Sequence, residues 1–136
     1  MERQMRIHAG PSDRAVFNTC PEAVADARDL ARAFVGNLSP AIDTQASESV
    51  TLVVSELITN AVRHARSTSC TLQLRASPDV ITIEVTDADP KPPRERTPDL
   101  TGGTGGFGWA MVQTLARAIH VTCGPKGKKI RADLPR

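Results

Sequence analysis

Ser55 to Ala65 reads SELITNAVRHA, and two stripes run along it. Starting one turn upstream, Val50, Val53, Val54, Leu57, Ile58, Ala61, Val62 and Ala65 recur at helical spacing, which predicts a helix with one wide buried face. Glu56, Asn60 and His64 stand at i, i+4 and i+8. At about 100° per residue, they line up along the border of that face. A carboxylate, an amide and an imidazole in one row at a core boundary either line a cleft or form an ordinary polar flank touching solvent. The rest of the chain has to choose between these.

At 136 residues the chain is long enough for one domain with a real core. Apolar residues make up 40% and charged residues 24%, but there are three Phe, one Trp and no Tyr, so the core is expected to be aliphatic. A net charge of +2, with the basic residues scattered, argues against direct nucleic-acid binding. No apolar run approaches the roughly 18 residues of a membrane span. The opening MERQMRIHAG lacks an apolar signal core. Cys20, Cys70 and Cys123 are far apart with no CxxC, so reduced thiols are expected rather than a disulfide framework or a zinc site. These features together point to a small cytoplasmic protein.

Residues 1–13 read as a loose polar arm, and 14–136 as the domain. Ala15-Val16-Phe17 suits an optional first strand. Thr19 to Glu22, with Pro21 in the first turn, starts a helix that runs from Ala23 to Leu38 and ends before Pro40. Thr44 or Ser47 caps the central helix. Leu72, Leu74 and Ala76 then alternate with polar residues, which predicts a half-buried strand, and Ser77-Pro78-Asp79 turns it into a second. In that second strand Ile81, Ile83 and Val85 share a face with Asp87. An inward carboxylate at the end of an apolar strand needs a partner. It is either a binding group or a cap for the following loop.

Pro90 to Thr101 (PKPPRERTPDLT) can be neither helix nor central strand. It runs into Gly102-Gly103-Thr104-Gly105-Gly106-Phe107-Gly108 and then into a helix whose Phe107, Met111, Leu115, Ala118 and Ile119 are expected to face inward. Unhindered N–H groups at a helix start suit an anion, although the same string would serve as a flexible linker. Ile119 to Cys123 and a run in which Lys128, Ile130, Ala132 and Leu134 alternate with polar residues make a terminal hairpin. The expected architecture is α+β: a two-layer sandwich, with a mixed, mostly antiparallel sheet covered on one face by about three helices. There is no GxxxxGK[ST] string, no βαβ context for the glycines, no nucleophile elbow and no pair of histidines for a metalloprotease helix.

One ordered set remains: Glu-x-x-x-Asn-Ala-x-x-His on a helix, a hairpin ending in Asp, a loop, Gly-x-Gly entering a helix, and a terminal hairpin. In this the chain resembles the GHKL ATP-binding superfamily, and most closely its small bacterial anti-sigma-factor serine/threonine kinases. The resemblance runs from about Phe17 to Pro135. It implies ATP or ADP with Mg²⁺, the metal held by the Asn60 amide oxygen. It implies Glu56 as general base, polarising a water or a serine hydroxyl. His64 would lie near the phosphates, Asp87 would accept from the adenine amino group, and Gly105, Gly106, Phe107 and Gly108 would hold the phosphates. Lys128 stands where many members have Thr near the adenine, and either reaches the nucleotide or lies along the sheet rim.

The resemblance also implies a function. The protein would regulate transcription by transferring the γ-phosphate of ATP to a serine or threonine of an anti-sigma-factor antagonist and by binding a sigma factor, in the cytoplasm, with a homodimer as the common assembly. Two departures stand out. Asp87-Ala88-Asp89-Pro90 replaces the frequent Asp-x-Gly, and Phe107 stands where a small, polar or basic residue is common. They motivate an alternative in which the same fold binds ATP to gate a protein interface without turnover, and a third in which nucleotide binding has been lost.

Overall fold

The computed structural model describes residues 10–63, 68–89 and 108–136. Among these the order is β1 (Ser12–Asn18), α1 (Glu22–Gly36), α2 (Thr44–Arg63), β2 (Ser69–Ala76), β3 (Val80–Asp87), α3 (Gly108–Leu115), β4 (Ala118–Gly124) and β5 (Gly127–Pro135). The strands form one sheet in the order β1-β2-β3-β5-β4. Each of its pairings is antiparallel. The helices lie on one face, with α2 against β2, β3 and β5 and flanked by α1 and α3. The fold is the expected α+β sandwich, and the optional first strand is present as a full edge strand.

The central helix begins where an acid, rather than Thr44 or Ser47, supplies the cap. Asp43 Oδ1 accepts from the Ala46 N–H at 2.7 Å and Asp43 O accepts from the Ser47 N–H at 3.0 Å. Val50, Val53, Val54, Leu57, Ile58 and Ala61 are all buried, as the spacing predicts. They meet Leu72 and Leu74 of β2, Ile81, Ile83 and Val85 of β3, and Ile130, Ala132 and Leu134 of β5 in one aliphatic core. Burying each of these larger side chains stabilises the fold by roughly 1.5–3 kcal/mol. Among the described residues, Phe34 from α1 is the one aromatic that is fully part of this core.

The last helix is shorter than the apolar pattern suggests. It stops at Leu115, and Ala118 and Ile119 belong to β4. The Arg117 N–H bonds to Asp133 O at 2.7 Å and starts the β4–β5 ladder, so pairing with the sheet ends the helical run. Among the described residues the other face of the sheet carries no helix. It is polar: Arg75 meets Glu84 at 2.9 Å, and Asp133 accepts from Thr82 at 3.0 Å and from Arg131 at 3.1 and 3.2 Å. Burial pushes the Asp133 carboxyl up, but hydrogen bonds from Arg131 and Thr82, with the charges of Arg131 and His120, hold it below the usual carboxylate range.

Candidate functional site

The residues singled out in the sequence fall in two groups among the described elements, one at the facing ends of β3 and β5 and one on α2. The Asp87 carboxylate ends β3, on the same face as Ile81, Ile83 and Val85, and is buried. Directly opposite it, β5 places Lys128 in register. The Lys128 Nζ donates to Asp87 Oδ1 at 3.1 Å, to Asp87 Oδ2 at 3.0 Å and to the Asp89 carbonyl at 3.3 Å. The side chains of the pair are 1% and 2% exposed, so Lys128 does not lie along the sheet rim. The Asp89 N–H closes the loop back onto Asp87 Oδ1 at 2.8 Å.

A lone buried carboxylate would be costly; here an ammonium and a backbone N–H compensate it. Cys70, on β2 beside this group, has its thiol pushed up by burial first and by the Asp87 charge second, with Cys20 adding to it, so it stays neutral. The turn into β5 is tight at the same spot. Gly127 has φ +144°, and a Cβ there would collide with the Asp87 carbonyl.

The second group lies on α2. Glu56 and Asn60 sit one turn apart, both half-buried at the border of the apolar face. Asn60 Oδ1 is buried and has no hydrogen-bond partner among the described residues. Glu56 is set against the first residue of α3: a Cβ on Gly108 would run into its carboxylate. An acid at that position also meets the positive end of the α3 dipole. Glu56 of the polar border stripe therefore lies at a junction between α2 and the start of α3.

A comparison with known families matches the histidine kinase-like ATPase domain over residues 17–134. The chain belongs to the histidine kinase-like ATPase domain family. As an ATPase domain it takes ATP or ADP as its ligand. Among solved structures, the RsbU and RsbW domains of Rv1364c from Mycobacterium tuberculosis align with a TM-score of 0.70 at 16% identity, over 93% of this chain and 33% of that one. The histidine kinase domain of the blue-light activated histidine kinase EL346 from Erythrobacter litoralis aligns with a TM-score of 0.50 at 22% identity, over 98% of this chain and 68% of that one. At such identities the likeness establishes the fold. This ATPase domain thus spans about a third of the Rv1364c structure. Comparison with curated proteins gives no match.

Of the residues the sequence singles out, Glu56, Asn60, Asp87, Gly108 and Lys128 lie in described elements. His64, Gly105, Gly106 and Phe107 lie outside the described residues. The donor set fits a hard cation of the Mg²⁺ kind. Asn60 Oδ1 is an oxygen acceptor with no partner among the described residues, and Mg²⁺ commonly takes one or two protein oxygens and completes its shell with phosphates and water. Among the described residues no group of three or more His, Cys, Asp or Glu could hold a metal by itself.

Two features escaped the sequence reading. The Lys128–Asp87 pair depends on the register of strands 41 residues apart, and alternation shows only that each faces inward. Asp89 reads as a lost glycine, whereas its backbone bonds to both members of the pair. A polar hollow lined by Arg14, Thr71, Gln73, Glu84, Thr86 and Lys129 lies on the open face of the sheet, away from all of these groups. Among the described residues no helix is long and apolar enough to cross a membrane.

Proposed function

We propose that this ATPase domain is a cytoplasmic ATP-binding regulator of the anti-sigma-factor type. It transfers the γ-phosphate of ATP to a serine or threonine of a partner regulator and binds a sigma factor. The observation that carries this reading is the orphaned, buried Asn60 Oδ1, one helical turn from the Glu56 carboxylate. A buried acceptor left without a partner costs about 1–3 kcal/mol, so a binding role accounts for its presence where packing does not. The resemblance of the motif set, and the RsbW domain among its structural neighbours, support the regulatory part.

In this reading Asn60 would hold the Mg²⁺, which would supply charge neutralisation for the phosphates when bound. Glu56 takes the proton of the partner's hydroxyl as the oxygen–phosphorus bond forms and ADP leaves. Its place against Gly108 fixes the carboxylate at the entrance of α3. Asp87 receives the base, and Gly105 to Gly108 receive the phosphates through backbone N–H groups, with His64 beside them. The test is labelled ATP with a candidate antagonist domain. Transfer that is lost in Glu56→Gln is expected. No transfer by the wild type would sink the kinase assignment.

A second reading, an ATP-gated binding module without turnover, draws on the base end. Lys128 and the Asp89 N–H already take three of the roughly four acceptor positions of Asp87, so a base meets a group largely satisfied within the chain, which suits a switch worked by binding alone. It predicts ATP-dependent partner binding that survives Glu56→Gln.

A further inference from the structure

The Lys128 ammonium has three protons, and in this structure all three are used, on Asp87 Oδ1, Asp87 Oδ2 and the Asp89 carbonyl. Asp87 offers about four lone-pair positions, and Lys128 with the Asp89 N–H takes three of them. One acceptor position on Oδ2 remains. The bond to the Asp89 carbonyl, at 3.3 Å, is the longest of the three and the one most easily exchanged. A single point on the floor of the site therefore offers an acceptor and, one small rotation away, a charged donor. An isolated carboxylate offers only acceptors, and it repels an exocyclic oxygen.

We propose that Lys128 sets the base tolerance of this site: with its ammonium on Asp87, the pocket accepts a purine carrying either a 6-amino or a 6-oxo group. This rests on Asp87 being the base end, as in the function proposed above. A 6-amino group donates to the free position on Asp87 Oδ2. A 6-oxo group accepts from the Lys128 ammonium as it lets go of the Asp89 carbonyl. In both cases the carboxylate keeps its compensating charge. Lys128 is thus a specificity-determining residue, and it acts toward a weaker preference for adenine. A side chain that only filled space there would leave the preference to Asp87 alone.

The experiment is titration of the wild type and of Lys128→Thr with ADP and with IDP, which differ in the 6-substituent and in the N1 proton that accompanies the 6-oxo group, each with Mg²⁺. The quantity read is the ratio of the two dissociation constants, which is independent of how much folded protein is present. The wild type is expected to prefer ADP by no more than a few-fold. In Lys128→Thr the preference is expected to rise about tenfold, the value of one hydrogen bond to a charged group. A strong ADP preference in the wild type overturns the inference by itself, even if the variant fails to fold. An unchanged ratio in a folded Lys128→Thr overturns it as well. Binding of neither nucleotide by the wild type would instead defeat the assignment of the site.

Discussion

The two ends of the site are opposite in their hydrogen bonding. At the proposed base end the polar groups have partners within the chain: Asp87, Lys128 and the Asp89 backbone bond to one another in a buried knot. At the proposed metal end, Asn60 Oδ1 is buried with no partner among the described residues. The first arrangement has its charge compensated within the chain, and the second leaves a buried acceptor open. A compensated buried network holds a strand end in place and specifies its register, whereas an orphaned acceptor is a standing cost that a ligand removes. Stability and binding are accordingly separable along this site, and substitutions at its two ends are expected to move them in different directions.

The largest effect should come from breaking the knot. Lys128→Met leaves Asp87 as an uncompensated buried charge and is expected to cost about 3–5 kcal/mol in urea unfolding. The double change Asp87→Leu with Lys128→Met is expected to recover most of that, because a neutral apolar pair of similar volume replaces the ion pair. A single variant as stable as the wild type would remove the contrast between the two ends.

Next in size is the junction at Glu56. Gly108→Ala puts a methyl group where the Glu56 carboxylate lies, so the side chain has to move. Because misplacing a catalytic group by about an ångström can cost a hundredfold, phosphate transfer is expected to fall by more than about tenfold. Nucleotide affinity should change less, which equilibrium titration of the same variant checks. A variant that transfers phosphate at the wild-type rate would show that the carboxylate's position at the start of α3 is incidental.

The smallest expected effect lies off the site, on the open face. Asp133→Asn weakens the bonds to Arg131 and Thr82 and is expected to cost about 1 kcal/mol. Because the folded-state pKa of Asp133 is lowered, its contribution is present above the ordinary carboxylate range and is lost as pH falls through the lowered value. The variant and wild type should therefore differ at neutral pH and converge in acid, read as the change in urea midpoint. A difference that persists in acid would mean that the effect is packing rather than charge.

What the sequence makes legible follows from which interactions are local. The α2 face, the alternation in β2, β3 and β5 and the inward Asp87 are set by period alone, and all are present. The Asp43 cap was missed because Thr44 and Ser47 are equally good capping residues and only the backbone decides among them. The end of α3 was overrun because apolar spacing continues through Ala118 and Ile119, while pairing with β5 takes those residues into the sheet. The partner of Asp87 was out of reach because it is fixed by strand order, which brings β5 between β3 and β4. On the site itself, period placed Glu56 and Asn60 in one row. That a missing Cβ at Gly108 seats Glu56 is a contact between distant segments.

The contrast between the ends is tested most directly at Asn60. Asn60→Ala removes the orphaned oxygen and adds a better helix former, so the ligand-free variant should be at least as stable as the wild type, by about 1 kcal/mol or more. Titrated with ADP and Mg²⁺, the wild type is expected to bind saturably in the micromolar range and Asn60→Ala to lose most of that affinity. A variant that binds as tightly as the wild type, or that is destabilised before any nucleotide is added, would contradict the assignment of Asn60 Oδ1 as the unfilled end of a nucleotide site.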